Sequence, residues 1–424
     1  MRVIDPAGTA GPAAIAAPAS ARTVLAFVLC ALVMMIDGYD LSAMPLAVPH
    51  VVKLWGVAPA RFGIALSAVL AGLGLGAVLL GPIGDRVGRR PAVLVATAAI
   101  AVATAGTATA GSIVQFALWR LLTGAALGAC LPNVTALTAE LAPQHRRAGV
   151  LTLVSCGVSI GGMAAGFVAP LLVAAGGWQM LFLASAAFTL LLVALLWAML
   201  PESPKFLRER AERAQAPART AAPRISVLAP LGRGYRFATF VFVGLYTVNA
   251  LALYMLTSWV PTILPQAGFS LAGAARMAAV VQGGGLIAAL LLSWFLDRSR
   301  TVAAMAGGYL IVAACLGAFS FMSATALGWG ALLLVVGGGI AGAHLALMAV
   351  GTGFFPPSML SGAIGLAVAI ARVGAIAGPL AGGWIIASGA SAQTFLLALA
   401  VPVLVCAAGV LLIPAAQRSS APRF

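Results

Sequence analysis

Two aspartates three residues apart, in Asp37-Gly38-Tyr39-Asp40, lie inside a run from about Thr23 to Met44 that otherwise reads as a membrane-spanning helix. Residues at that spacing share one helix face, so both carboxylates point the same way. An ionised carboxylate in hydrocarbon costs several kcal/mol, so such groups face a cavity or a partner, and the chemistry they do there is ion or proton handling. Arg120 falls in a second apolar run, Ile113 to Glu140. Counting helix rise puts Asp37 about 21 Å and Asp40 about 25 Å above one surface, and Arg120 roughly 10 Å below the other. All three share one layer, and either aspartate can pair with Arg120. A balance among a nearby cation, a second acid and lost water, tipped by moving solvent, is what a proton-coupling carboxyl requires. The alternative is a static structural pair.

Arg372 also falls inside an apolar run, and no second-half span contributes an acid to meet it. A guanidinium without a counter-ion suits an anionic ligand, and its planar fork matches a carboxylate. The alternative is that helix-end carbonyls satisfy it. His344 sits well inside another run, where it is either a second proton site or a neutral hydrogen-bonded residue.

The elements that position these groups follow from composition. Of 424 residues 62% are hydrophobic, with 24 Lys and Arg against 9 Asp and Glu, too apolar for a soluble domain of this length. Charge-free runs measure the spans: 62–84, 91–119, 148–201 (two), 237–275, 277–296, and a stretch from 301 to 371 divided by Gly and Pro clusters into two helices and the start of a third. With the runs holding Asp37 and Arg120 and a last one near 393–413, twelve are expected, each near the roughly 20 residues a bilayer demands. Backbone polar groups in lipid must be satisfied within helices, and these runs are too long for barrel strands, so the expected class is an all-α membrane protein.

The net charge of +15 would suit nucleic acid, but 19 of the 24 basic residues fall on one side of the membrane. That asymmetry makes the basic side cytoplasmic, with both termini there. The five cysteines lie within spans without metal-ligand spacing, and no metal or cofactor is expected. No Walker loop or nucleophile elbow appears, so ATP-driven transport and hydrolysis lack their parts.

The expected organisation is a tail at 1–22, a six-helix half at 23–200, a basic linker at 201–236, a second half at 237–413 and a tail at 414–424. The halves are expected to be pseudo-symmetric, because Gly84-Asp85-Arg86 through Arg90 after the second span is echoed by Asp297-Arg298-Ser299-Arg300 after the eighth, the two aspartates 212 residues apart. Paired six-helix halves with a midplane site between them are a transporter architecture.

Gly81-Pro82-Ile83-Gly84-Asp85-Arg86-Val87-Gly88-Arg89-Arg90-Pro91 closely resembles the loop 2–3 motif of the major facilitator superfamily, and Arg120-Leu121-Leu122-Thr123-Gly124 resembles its helix 4 motif. Within it the chain resembles the aromatic acid:proton symporters through Asp37 to Asp40, Leu131-Pro132-Asn133, Glu140-Leu141-Ala142-Pro143, Pro201-Glu202-Ser203-Pro204, Ser258-Trp259-Val260-Pro261 and Ala371 to Pro379. Departing from the family, the segment after the tenth span reads Phe355-Pro356-Pro357-Ser358-Met359-Leu360 and lacks the usual basic residue.

The resemblance implies a proton-coupled importer of small aromatic carboxylates, monomeric and of the inner membrane. Alternatives on the same scaffold are another organic anion, a sugar-like solute, or a multidrug proton antiporter. Proton coupling would fall to Asp37, Asp40, Arg120 and His344. Substrate binding would use Arg372 for the carboxylate, Asn249 and Gln282 for a ring hydroxyl, and Tyr39, Tyr246 and Trp259 for stacking, against packing or interfacial roles for the aromatics. Asp85, Arg86, Arg89, Arg90, Asp297 and Arg298 would gate the cytoplasmic side.

Overall fold

The structure is a computed structural model that describes residues 21–215, 229–232, 234–296 and 301–420. The first half holds α1 (Ala21–Trp55), α2 (Phe62–Leu79), α3 (Arg89–Ala108), α4 (Ile113–Leu141), α5 (Arg147–Gly176) and α6 (Gln179–Met199). The second holds α7 (Arg236–Ile263), α8 (Leu271–Leu296), α9 (Thr301–Ala318), α10 (Ala326–Gly351), α11 (Pro357–Ala387) and α12 (Ala392–Val410). Eleven of these are long and apolar enough to cross a membrane, and the shorter apolar stretch Val302–Ala318 in α9 completes the twelve. Among the described residues there is no strand, as intrahelical hydrogen bonding in lipid requires.

The halves repeat one packing plan. In the first, α1 packs on α5, α2 on α4, and α3 on both α4 and α6. In the second, α7 packs on α11, α8 on α10, and α9 on both α10 and α12. Two further pairs, α2 with α11 and α5 with α8, join the halves as symmetry mates. Small residues make this approach possible: at Gly166 of α5 the backbone of α8 at Ala275 and Ala279 lies against the bare Cα.

Two boundaries differ from the expectation. Helix α1 runs past Met44 to Trp55 through Pro45 and Pro49, because its far end is anchored by Trp55 packing on Phe62, Phe116 and Trp178. The run expected as one span over 237–275 ends at Ile263, where a 3-10 turn (Leu264–Ala267) and Gly268, with φ +94°, turn the chain into α8. Within the linker a short helix spans Pro204–Gln215, and another, Ile413–Ser420, follows α12.

Candidate functional site

In the first half, Asp40 and Arg120 are fully buried and paired, with Nη1 of Arg120 2.9 Å from Oδ2 of Asp40. A second guanidinium nitrogen donates to the Asp40 carbonyl at 3.0 Å, and the Thr104 hydroxyl of α3 donates to Oδ1 at 3.1 Å. The pair is thus held by α1, α3 and α4 together. The guanidinium carbon stands 5.8 Å over the Phe182 ring of α6. Beyond it Phe116, Trp178, Phe62 and Trp55 stack edge and face, roofing the pair on the side opposite the termini.

Asp37 is arranged otherwise. It is 4% exposed, and its Oδ1 has no hydrogen-bond partner. Arg372 of α11 is within electrostatic range of it. The stem of Arg372 crosses onto α2, its Cγ 3.5 Å from where a Cβ on Gly74 would stand. No carboxylate ion-pairs with Arg372 among the described residues. One acid and one cation from opposite halves therefore lie within electrostatic range of each other, with no ion pair to either among the described residues.

The contacts that join the halves run from this level away from the termini. The Ser67 hydroxyl of α2 donates to the Ile376 carbonyl at 2.7 Å, Gly63 approaches Pro379 and Leu380, and Gly383 approaches Ala60. Across the other seam Nε2 of Gln282 reaches the Ser42 hydroxyl at 3.5 Å and lies against Gly162. A small cavity of about 20 Å³ beside it is lined by Pro45, Leu46, Thr257 and Val281 as well. The halves are closed against each other on the far side.

In the second half, Asn249 of α7 is fully buried and accepts from the Tyr309 hydroxyl of α9 at 2.8 Å. Its amide nitrogen donates to the Ile340 carbonyl of α10 at 3.2 Å and lies 3.2 Å from Nδ1 of His344. The His344 ring stacks on Tyr246, centroids 4.2 Å apart and planes within 14°.

These placements redistribute the expected roles. Asn249 spends both amide hydrogens inside the half and is fully buried, so it has no donor left for a ring hydroxyl. Tyr39 donates its hydroxyl to the Leu181 carbonyl of α6 at 3.1 Å, which aims it into the first half. Trp259 is fully buried, with Nε1 donating to the Pro379 carbonyl at 2.9 Å, and it packs at the far-side seam. Gln282 serves that seam too. Tyr246 reaches the central level as the platform for His344.

The residues of the loop motif between α2 and α3 bind other parts of the first half and the start of the linker. Arg89 pairs with Asp85 at 2.5 Å and Glu140 at 3.7 Å, and donates to Asn133 Oδ1 at 3.0 Å. Glu202 Oε1 accepts the backbone N–H groups of Arg89 and Arg90 at 2.9 and 3.1 Å, capping the start of α3. Gly88, with φ +112°, makes the turn that presents those groups. Arg90 donates to the Trp197 carbonyl at 2.5 Å, the Ser203 hydroxyl bonds Glu140, and Arg86 is exposed. Asp297 and Arg298 lie outside the described residues. Sequence reasoning missed roles for Asn133, Glu140 and Glu202, although each stood in a motif already singled out.

Twelve helices in two matched halves, with an acid and a cation brought near each other where the halves meet, have the architecture of a multi-pass membrane transporter. Residues 30–357 match the Major Facilitator Superfamily, and the chain belongs to that family. It is 32% identical over 423 residues to a gallate transporter of Pseudomonas putida, covering 93% of this chain and 92% of the relative. It is 30% identical to the 4-hydroxybenzoate transporter PcaK of Pseudomonas aeruginosa, with 91% of each chain covered. It is 31% identical to the 3-(3-hydroxy-phenyl)propionate transporter of Escherichia coli K12, covering 93% of this chain and 94% of that one. All three of these relatives are transporters of aromatic acids. Among solved structures, a bacterial homolog of the human lysosomal transporter Spinster superposes with a TM-score of 0.75 at 16% identity, covering 94% of this chain and 98% of the other. The D-xylose-proton symporter does so at 0.70 and 17%, covering 92% and 97%.

Proposed function

We propose that this transporter imports small aromatic carboxylates together with protons, by alternating access, across the inner membrane with both termini cytoplasmic. The observation that carries the reading is Arg372, a cation on α11 at the seam of the halves, facing Asp37 and lacking an ion-paired carboxylate among the described residues. Its fork accepts a carboxylate in two parallel hydrogen bonds, which selects an anionic substrate over a cationic drug. Asp37, whose Oδ1 has no partner, is the acid free to take up and release the proton. Asp40, bound by Arg120 and Thr104, positions the helices around it.

The relatives add the substrate class, since gallate, 4-hydroxybenzoate and 3-(3-hydroxyphenyl)propionate are all hydroxylated aromatic acids. The basic loops on the terminal side support the orientation. Proteoliposomes with an acidic exterior should accumulate labelled benzoate, 4-hydroxybenzoate or gallate, and a protonophore should collapse the gradient of substrate. Accumulation that ignores the protonophore would remove proton coupling, and transport of sugars or organic cations in place of the acids would remove the substrate class.

A further inference from the structure

The buried polar groups of the second half lie on the same three helices as those of the first. Asp40, Thr104 and Arg120 come from α1, α3 and α4, and Asn249, Tyr309 and His344 come from their symmetry mates α7, α9 and α10. The first set is charged, the second uncharged, and the hydrogen bonds of the second set decide where its one mobile proton sits.

A backbone carbonyl only accepts, so the Asn249 atom 3.2 Å from the Ile340 carbonyl oxygen must be the amide nitrogen. The amide oxygen is then the atom that faces Tyr309, whose hydroxyl donates to it at 2.8 Å. An amide nitrogen has two hydrogens and no lone pair to offer. Its second hydrogen reaches Nδ1 of His344 at 3.2 Å, so Nδ1 is an acceptor and carries no proton. The ring proton of a neutral imidazole must then be on Nε2. Stacking on Tyr246 fixes the ring plane. Nε2 has no hydrogen-bond partner among the described residues, is absent from the buried unpartnered atoms, and belongs to a half-buried ring. Arg372 is close enough to be felt at the ring but forms no hydrogen bond with it.

We infer that His344 is a specificity-determining residue: its Nε2–H, fixed by Asn249 and Tyr309, is an outward-facing neutral donor that binds a hydroxyl on the substrate ring while Arg372 holds the carboxylate. The inference rests on the aromatic-acid reading above and assigns to His344 the recognition of the ring substituent instead of a proton-carrying role. A neutral donor within electrostatic range of a guanidinium, but not bonded to it, matches in kind the hydroxyl and the carboxylate of one hydroxylated aromatic acid. The network explains why Asn249 is buried where a hydroxyl-binding residue would be open: it serves the histidine.

The test combines selectivity with a direct view of the proton. His344→Phe keeps the ring stack on Tyr246 and removes the donor. Losing one neutral hydrogen bond should raise KM for 3- or 4-hydroxybenzoate about three- to tenfold while leaving benzoate unchanged. Accumulation of benzoate driven by a pH gradient should persist in this variant. In wild-type protein labelled with ¹⁵N-histidine, nitrogen NMR at neutral pH should show His344 with Nε2 protonated and Nδ1 bare, and Tyr309→Phe, which frees the Asn249 amide to rotate, should weaken that preference. A His344 protonated on Nδ1 or on both nitrogens overturns the inference, as does an equal loss for benzoate and the hydroxybenzoates, or a loss of proton-driven uptake in His344→Phe. A wild type that carries none of these acids refutes the substrate reading instead, and the NMR result still decides the donor.

Discussion

At the scale of single residues, two aspartates one helical turn apart have different surroundings, and the proposed division of labour between them follows from that difference. Asp40 is the counter-ion of a fully buried arginine, so removing its charge strands Arg120 in a water-free site. Breaking a buried pair costs roughly 3–5 kcal/mol. Asp40→Leu should therefore lower the melting temperature of purified protein sharply, whereas Asp37→Asn should leave it nearly unchanged, since Oδ1 of Asp37 has no hydrogen bond to lose. Asp37→Asn should abolish accumulation driven by a pH gradient yet retain counterflow of preloaded substrate, which needs no proton. Equal melting losses in the two variants would refute the division of labour. Arg372 makes the complementary claim. Charge-assisted bidentate contacts in a poorly solvated cavity contribute on the order of 2–5 kcal/mol, roughly thirtyfold to several-thousandfold in affinity. Arg372→Lys should weaken carboxylate binding measurably, Arg372→Ala should nearly eliminate it, and an uncharged amide analogue should bind both wild type and Arg372→Ala about equally poorly. Unchanged affinity for the acid in folded Arg372→Ala would move the anion site elsewhere.

At the scale of elements, what could be read from sequence was depth, and what could not was rotation. Charge-free runs locate helices because lipid rejects charge wherever it falls around the axis. They say nothing about which neighbour a side chain meets. Rise alone put Asp37, Asp40 and Arg120 in one layer and left open which aspartate meets the arginine; in the structure it is Asp40. Tyr39, only two residues from Asp37, points the other way to Leu181, and Asn249 turns into its own half, because helix packing sets the azimuth. Helix ends were equally hidden: Pro45 and Pro49 look like terminators, yet aromatic packing at Trp55 carries α1 past both. The segment after α10, which lacks the family's basic residue, is an aromatic joint, with Phe355 against Tyr235 and Phe242 at the start of α7. The start of α3 has the plainest local cause. Its first amides are bound by Glu202, a residue 113 positions away, so the exit of α6 is fastened to the loop before α3. A side-chain N-cap contributes about 1 kcal/mol. Glu202→Ala should lower stability by about that amount and raise hydrogen exchange at Arg89 and Arg90, while Glu202→Gln, which keeps an acceptor oxygen, should recover much of the protection. Exchange unaltered in Glu202→Ala would show that the capping bond contributes nothing.

At the scale of the whole molecule, the two halves are closed on the far side by Ser67, Gln282 and the small residues of α2, α5, α8 and α11, so a rocking motion must break those contacts and remake others nearer the termini. What travels with the motion is set by the charges at the seam. The Asp40 and Arg120 charges cancel within one half and stay there. The empty seam then holds one negative group, Asp37, and one positive group, Arg372. When a proton neutralises Asp37 and a monovalent acid binds Arg372, the sum is again zero. On the proposed coupling of one proton to one monovalent acid, both the outward and the return strokes would carry no net charge through the membrane's electric field, which is worth about 2.3 kcal/mol per elementary charge per 100 mV to any carrier that does move charge. With one proton per substrate, a potassium diffusion potential imposed with valinomycin should leave uptake unchanged at a fixed pH difference, and a voltage-driven rise in uptake would require a second proton. A cell that depolarises would go on feeding through this protein for as long as its exterior stayed more acidic than its interior.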